Sequence, residues 1–306
     1  YTEHVRRYVE KNYGKDALYN QGLEIHTAVN IELQKMGRKA VNQGLIDLDK
    51  RTGYRGPVST IPALQVESFC QKTAQQIGSS LLEKGRVYQG VVLEVDDDKG
   101  STLVRVGNVQ GRIPIDTMTW ARKPDPHLAY YEAKVKTPSQ ALKAGDEIRV
   151  KVVNEIVEDQ DYEFSLFQEP VAQAALLSIE AETGHVKTMI GGRDFRDSQF
   201  NRAYQSRRQP GSAFKPVIYA AALDKGYTAA TVIIDSPVVY EDKTRDFVWK
   251  PHNYKEKFFG PTLFRLALVK SRNVVTIKIL QVIGIDYVID YARKLGISSE
   301  INKDLS

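Results

Sequence analysis

The spacing of hydrophobic residues changes along the chain and divides it into three parts. Residues 1 to about 60 are polar, and Asn30 is a favourable N-cap that predicts the start of a helix. Beyond it, apolar residues recur at helical spacing, namely Leu33, Met36, Ala40 and Leu48. Residues 22–29 alternate in polarity, which predicts a short strand before the helix. The segment GYRGP at 53–57 breaks the helical pattern.

The second part, residues 85–168, alternates with the period of two that is typical of half-buried strands. Strands are predicted at residues 87–95, 101–107, 111–115, 141–153 and 161–168. Between the first two of them, the run DDDKG predicts a hairpin turn in which Gly100 supplies a positive φ. Five short strands of this kind favour a small β-barrel of the OB type.

The third part begins at residue 171 and mixes strands with helices. A hairpin is predicted there, with strands at 174–180 and 185–190 and a turn around Gly184. An arginine-bearing loop follows, and the run QPGSAFKP then leads into a short helix that ends at Gly226. Two further helices are predicted, at residues 262–271 and 274–284. This order of elements predicts a mixed α/β domain.

Composition narrows the class of protein. The 306 residues suffice for two or more domains, and the net charge of +5 comes without an arginine-rich tract of the kind that marks a nucleic-acid-binding arm. A single cysteine, Cys70, excludes an internal disulfide and a cysteine zinc site, and we expect a buried thiol. The five histidines are scattered, so we do not expect a metal site.

The run QPGSAFKP carries the most specific chemical signal. It places Ser212 and Lys215 three positions apart, and such residues share one face of a helix, so Lys215 is predicted to reach the Ser212 hydroxyl. A serine hydroxyl needs a base in order to act as a nucleophile. Lysine can be that base only when neutral, and both burial and a helix N-terminus favour its neutral form. The backbone amide of Ser212 is a candidate oxyanion donor.

A second pair, Ser271 and Asn273 in KSRN, lies about sixty residues further on. Each short motif occurs by chance in chains of this length, most often as a helix start with a solvated lysine. The combined match is more specific than either motif alone. The two motifs occur in the expected order and separation, a Pro-Gly pair precedes Ser212, and a hairpin lies ahead of it. Together they match two of the three elements of serine acyl-transferases that also react with penicillins.

These segments resemble a known family. The run from GGRDF through QPGSAFKPVIYAAAL is similar to the start of the transpeptidase domain of class A (bifunctional) penicillin-binding proteins. The run WKPHNYKEKFFGPTLFRLALVKSRN adds Trp249, Pro251, Asn253 and Gly260 to that resemblance. Residues 22–52 look like the linker ahead of this domain, and residues 85–168 look like the OB-like insert of one subgroup.

The resemblance implies a mixed α+β multidomain fold, in which an OB-like β-barrel precedes an incomplete penicillin-binding/β-lactamase-like transpeptidase domain. The implied limits are residues 1–84 for the linker and the opening segment of the transpeptidase domain, 85–168 for the OB-like barrel, and 169–306 for the first part of the transpeptidase domain. The chain ends before the family's third motif, a Lys-Thr/Ser-Gly strand, and begins at Tyr1. We therefore expect an internal piece of a longer protein, inactive in cross-linking by itself.

The resemblance also implies roles for named residues. Ser212 is the acylated nucleophile, Lys215 the general base, Ser271 a proton relay and Asn273 a contact to the amide of the donor peptide. Trp249 and Asn253 are candidate substrate-binding residues. The implied donor is a peptidoglycan stem peptide ending in D-alanyl-D-alanine, and β-lactams acylate the same serine.

For the complete protein, the resemblance implies a glycosyltransferase domain and a membrane anchor upstream. It also implies a location at the periplasmic face of the bacterial inner membrane. The OB-like barrel is expected to dock a protein partner or to act as a spacer.

Two rival functions stay open at this point. A serine β-lactamase or D,D-carboxypeptidase shares S-x-x-K, although the β-lactamase motif S-D-N has Arg272 in place of its aspartate here. An OB barrel could instead bind nucleic acid, with Tyr88 and Phe164 as stacking platforms. Acidic side chains disfavour that reading: Glu94, Asp96, Asp97, Asp98, Glu155, Glu158 and Asp159.

Overall fold

We analysed a computed structural model of the chain, in which two compact units cover residues 1–206 and 207–306. The structure describes residues 1–78, 81–154, 161–242 and 247–303. In the described ranges, no helix is long and apolar enough to cross a membrane.

A small β-barrel forms the largest part of the first unit. Its described strands are β2 (Val87–Asp96), β3 (Ser101–Val106), β4 (Val109–Pro114), β5 (Asp146–Val152) and β6 (Tyr162–Phe167). The order β5-β2-β3-β4-β6 closes on itself because β6 also pairs with β5. A two-residue strand, β1 (Ser59–Thr60), adds to the edge of β5. The predicted barrel strands and the turn at Gly100, with φ of 59°, are confirmed.

The barrel is held together by the inward-facing side chains of its strands. Buried and more exposed positions alternate along β5 from Asp146 to Val152, as the period of two predicts. The rings of Tyr162 and Phe164 stack inside with centroids 5.8 Å apart. Removing such apolar surface from water is the main stabilising contribution to a domain of this size.

One expectation for this barrel is corrected by its packing. Phe164 is 0% exposed in the core, so its ring is not available to stack on a base. The hydroxyl of Tyr88 accepts the backbone N–H of Glu83, and the Arg86 guanidinium lies 5.7 Å from its ring centroid. The predicted acidic residues Glu155, Glu158 and Asp159 lie outside the described residues.

The first unit also contains the described helices α1 (Thr2–Asn20), α2 (Ile31–Thr52) and α3 (Val66–Ile77) and the hairpin β7 (Leu176–Ile179) and β8 (Val186–Ile190). The hairpin is confirmed by its antiparallel register. Cys70 in α3 is fully buried, as expected, and burial raises the pKa of its thiol.

The prediction for residues 22–29 is wrong, because they form no strand. Directly after this stretch, the backbone N–H of Asn30 donates to the carbonyl of Lys187, in β8, at 2.9 Å. An alternating pattern needs a neighbouring strand edge to form a ladder, and sequence spacing alone does not supply one.

The start of α2 is confirmed, since the Asn30 side chain accepts the backbone N–H of Leu33 at 2.9 Å. The apolar residues whose spacing predicts this helix, Leu33, Met36, Ala40 and Leu48, are exposed. The buried positions are Gly37, Val41, Leu45 and Asp49. A Cβ at Gly37 would come within 2.9 Å of the Thr188 side chain, so this glycine lets α2 pack closely on β8.

The second unit packs helices around an apolar core. Its described helices are α4 (Lys215–Asp224), α5 (Phe264–Val269), α6 (Asn273–Ile283) and α7 (Ile285–Lys294). Tyr219 of α4 packs against Phe264 with ring centroids 4.5 Å apart, in a cluster shared with α6 and α7. Helices α4, α5 and α6 confirm the predictions, whereas α7 was not predicted.

Short antiparallel ladders accompany these helices. Strand β9 (Val232–Asp235) pairs with β12 (Gly260–Leu263), and β10 (Tyr240–Asp242) pairs with β11 (Phe247–Trp249). The sequence pattern did not predict them, because strands of three or four residues are too short to show a period.

Candidate active site

Ser212 lies at the start of the helical segment that contains Lys215. A 3₁₀ turn, Gly211–Phe214, runs directly into α4, so the predicted helix start near Ser212 is confirmed. Gly211 adopts φ of 53°, a left-handed conformation that costs glycine little. The turn leaves Ser212 exposed to solvent while Lys215, one turn later, is buried. The serine hydroxyl is therefore accessible from outside the protein.

The amino group of Lys215 is enclosed by three acceptors. Lys215 is only 8% exposed. Its Nζ donates to the Ser271 carbonyl at 2.7 Å, to the Ser271 hydroxyl at 3.0 Å and to Asn273 Oδ1 at 2.7 Å. Its described contacts include no carboxylate partner. Burial therefore lowers the pKa of Lys215, as the sequence predicts, because desolvation disfavours the ammonium form.

Ser271 connects the lysine to the exposed serine. Its hydroxyl accepts from Lys215 and donates to the Ser212 hydroxyl at 3.2 Å. The backbone N–H of Lys215 donates to the Ser212 carbonyl, but within the described part of the chain the two side chains share no direct hydrogen bond. The predicted proximity of the two residues thus takes the form of a chain of hydrogen bonds that passes through Ser271.

Ser271 holds this position through an unusual backbone conformation. Its φ is 51°, in the left-handed region that L-residues other than glycine rarely adopt. Its N–H donates to the Leu268 carbonyl and the N–H of Arg272 donates to the Ala267 carbonyl, both at 2.9 Å. This pair of bonds is the Schellman arrangement at the end of α5, with serine where glycine is usual. In this left-handed conformation, the hydroxyl and the carbonyl of Ser271 both face Lys215.

Two substitutions at Ser271 distinguish the effect of this backbone strain on protein stability from the effect of losing the hydroxyl. We expect the Ser271→Gly variant to be more stable than Ser271→Ala by about 1 kcal/mol, because only glycine escapes the left-handed penalty. Both variants lose the same hydroxyl bonds, so the difference reports the backbone alone. Urea unfolding of the two proteins measures it. Equal stabilities would show that position 271 carries no strain.

Asn273 begins α6 and completes the group. Its Oδ1 accepts from Lys215, and its Nδ2 donates to the carbonyl of His252 at 3.2 Å. An amide nitrogen has two N–H donors, and within the described residues the second one makes no hydrogen bond, so it can contact a ligand. The sequence-predicted residues Ser212, Lys215, Ser271 and Asn273 therefore come together in one site.

Asn253 and Trp249 are placed differently. Asn253 is 5% exposed, and its amide is fully engaged by Asp235, Lys257 and the first residues of α6. Both N–H groups of this buried amide are hydrogen-bonded within the described residues, and the substrate role of Asn253 stays a prediction. Trp249 is half-buried against the ring of Tyr240, with centroids 5.5 Å apart, and its substrate role stays a prediction.

Sequence reasoning missed Asp235, whose carboxylate is buried beneath this group of residues. The only local signal is an acidic residue at the end of the apolar run VIID. Its partner Asn253 is 18 positions away, so nothing in the local pattern connects the two.

The arrangement as a whole suits acyl transfer. It offers an exposed hydroxyl nucleophile, a buried amine with a lowered pKa and a second hydroxyl that joins them.

Comparison with known proteins agrees with this chemistry. Residues 54–172 match the family model of the penicillin-binding protein OB-like domain, and residues 174–306 match that of the penicillin binding protein transpeptidase domain. The OB-like match begins ahead of the predicted limit at residue 85 and includes β1, which pairs with the barrel.

Relatives match along nearly the whole chain. Penicillin-binding protein 1A of Pseudomonas aeruginosa is 37% identical over 297 residues, which cover 96% of this chain and 34% of that protein. Penicillin-binding protein 1A of Neisseria meningitidis is 35% identical over 307 residues, which cover 100% of this chain and 36% of that protein. The chain spans about a third of the length of these relatives.

A solved structure shares the fold. The crystal structure of penicillin-binding protein 1A from Haemophilus influenzae superposes with a TM-score of 0.73 at 26% identity, covering 99% of this chain and 42% of that one. The chain therefore belongs to the penicillin-binding proteins. Within that family it is the transpeptidase region, together with the OB-like domain, of a class A member.

Proposed function

We propose that this chain carries the D,D-transpeptidase site of a peptidoglycan-synthesising protein, with Ser212 as its nucleophile. The observation that carries the proposal is the hydrogen-bonded series Lys215, Ser271 and Ser212, which connects a buried amine to an exposed hydroxyl. The donor is a stem peptide ending in D-alanyl-D-alanine. The acceptor is the amine of a neighbouring stem peptide.

The reaction begins when Lys215 is neutral. The Ser212 proton passes to Ser271 while the Ser271 proton passes to Lys215, which reverses the direction of the observed hydrogen bonds. The Ser212 oxygen forms a bond to the penultimate alanine carbonyl as the bond from that carbon to nitrogen breaks. The proton returns through Ser271 to the leaving nitrogen, so the terminal D-alanine departs as a neutral amine.

The second half of the reaction repeats these transfers in reverse. The acceptor amine attacks the acyl ester, its proton passes to Lys215, and Ser212 recovers a proton as the ester bond breaks. The free N–H of Asn273 Nδ2 hydrogen-bonds the amide of the donor peptide and aligns it with Ser212. Neither half requires a metal or an organic cofactor.

A β-lactam uses the same first step. Ser212 opens the lactam ring, but the broken nitrogen stays tethered to the acyl group, so no fragment leaves and the full mass of the drug is added. The names of the relatives state that they bind penicillin. For the complete protein we propose a glycosyltransferase domain and a membrane anchor ahead of this chain, at the periplasmic face of the inner membrane, with the barrel as a protein-docking or spacer domain.

Intact mass spectrometry of the complete protein after penicillin treatment tests the proposal. We expect an added mass equal to one drug molecule, mapping to the peptide that contains Ser212 and persisting for hours. An adduct that hydrolyses within seconds would assign the site to a β-lactamase instead. Absence of any adduct would contradict the acyl-transfer function.

A further inference from the structure

A buried polar pair lies behind the catalytic group. Asp235, the last residue of β9, is 1% exposed, and both of its carboxylate oxygens accept from Asn253 Nδ2, at 2.8 and 2.9 Å. The same nitrogen donates to the carbonyl of Lys257 at 3.0 Å. On the other side, Asn253 Oδ1 accepts the backbone N–H groups of Asn273 at 2.9 Å and Val274 at 3.2 Å.

The surroundings fix which way the amide of Asn253 points. The two carboxylate oxygens of Asp235 and the carbonyl oxygen of Lys257 accept hydrogen bonds here, so the amide nitrogen, which alone can donate, faces them. The N–H groups of Asn273 and Val274 can only donate, so the amide oxygen must face α6. A flipped amide would set acceptor against acceptor and donor against donor. Asparagine satisfies both sides because it carries a donor and an acceptor on one planar group.

This amide serves as the cap of α6. The first N–H groups of a helix have no partner within it, and a side chain at the N-cap usually accepts one of them. Arg272 occupies the N-cap position of α6 and its side chain makes no capping bond. Asn253 supplies the missing acceptor from 20 positions away in the sequence. A buried helix start without an acceptor would be costly, so the contact holds the first turn in place.

Asn273, the first residue of that turn, also contacts Lys215. The backbone N–H of Asn273 donates to Asn253 Oδ1, and the side-chain Oδ1 of Asn273 accepts from Lys215 Nζ. Ser271, two residues earlier, supplies the other two acceptors of the lysine, its backbone carbonyl and its side-chain hydroxyl. A shift of the α6 start would therefore move several acceptors away from the amino group together.

We propose that Asp235 and Asn253 are positioning residues of this site. Asp235 orients the Asn253 amide, the amide caps α6, and the capped helix holds Asn273 against Lys215. Neither residue contacts the reacting atoms. The catalytic consequence rests on the proposed function, whereas the capping itself does not.

The rate at which penicillin acylates the complete protein tests whether this positioning affects catalysis. We expect Asn253→Ala to lower the second-order acylation rate of the folded protein by about 10²-fold, the size of effect that a small misplacement of reacting groups produces. Asp235→Asn preserves shape and is expected to fold, with a loss of about tenfold because one acceptor becomes a donor. Asp224→Asn is the matched control. It makes the same charge change at the exposed end of α4, where the carboxylate accepts a hydrogen bond from the Tyr287 hydroxyl, and this variant should acylate normally.

A polarity swap provides the rescue. Asn253→Asp alone sets two carboxylates face to face and should lose about 10²-fold in acylation rate. Adding Asp235→Asn restores a donor opposite an acceptor, and we expect at least about tenfold of the rate to return. A residue that serves only general stability would not recover the rate when a second damaging substitution is added. A double variant no faster than Asn253→Asp would overturn the proposal.

Backbone hydrogen exchange separates this inference from the proposed function. We expect the amides of Asn273 and Val274 to exchange at least about tenfold faster in Asp235→Asn than in Asp224→Asn, because a weakened cap exposes them. Unchanged exchange would refute the capping role even if acylation falls. If the unmodified protein forms no penicillin adduct, the proposed function fails, while the exchange rates still decide whether the pair holds α6.

Discussion

Replacing Ser212 with alanine is expected to abolish the penicillin adduct altogether. The covalent bond needs the serine oxygen, and loss of a serine nucleophile in hydrolases of comparable design costs on the order of 10⁶-fold in rate. Ser212 is exposed, and its hydroxyl has one hydrogen bond among the described residues, from Ser271, so the variant should fold as the unmodified protein does. Intact mass after prolonged penicillin treatment measures the outcome.

Two controls make the result interpretable. Ser206→Ala removes a hydroxyl that binds only the backbone carbonyl of Arg202, and this variant should acquire the full adduct. A thermal unfolding curve of Ser212→Ala should match that of the unmodified protein. An adduct of undiminished yield in Ser212→Ala would place the nucleophile elsewhere and remove the basis of the proposed mechanism.

Replacing Lys215 with arginine is expected to lower the acylation rate by about 10²–10⁴-fold, the usual contribution of general acid–base catalysis. Arginine keeps a positive charge and hydrogen-bond donors but does not lose its proton at any accessible pH. Lys225→Arg, near the end of the same helix, tests for a general effect of guanidinium. Its amino group lies over the ring of Tyr287, away from the site, and the rate should not change.

The pH dependence distinguishes a base from a structural cation at position 215. Burial lowers the pKa of Lys215, so its neutral, proton-accepting form appears below the usual lysine range. The acylation rate of the unmodified protein should therefore rise with pH and level off above that lowered pKa. The arginine variant should show no such inflection. A flat profile for the unmodified protein would exclude Lys215 as the base.

The local parts of this protein were predictable because they depend on neighbours in sequence. The three-residue spacing of Ser212 and Lys215, the helix cap at Asn30 and the turn at Gly100 all follow from contacts within a few positions. The alternation along the barrel strands reflects a continuous sheet with one buried face, which is a strong signal.

Other predictions failed where the outcome depends on distant packing. The apolar spacing of α2 predicts a helix but not its buried face: the helix buries Gly37, Val41 and Leu45, and Gly37 lies close to the Thr188 side chain of β8. Residues 22–29 have a strand-like pattern and no strand to pair with. The short strands β9 to β12 are defined by their partners, and their own sequences are too brief to show a pattern.

The reacting groups can be read from the amino-acid sequence, since the paired motifs hold Ser212, Lys215, Ser271 and Asn273 at characteristic positions. The connections between these groups depend on tertiary packing. Lys215 and Ser271 are 56 positions apart, and their contact exists because the start of α4, the end of α5 and the start of α6 meet. The same packing buries Asn253 and pairs it with Asp235. Hydrogen-bond direction and burial are properties of that enclosure, and no local spacing encodes them.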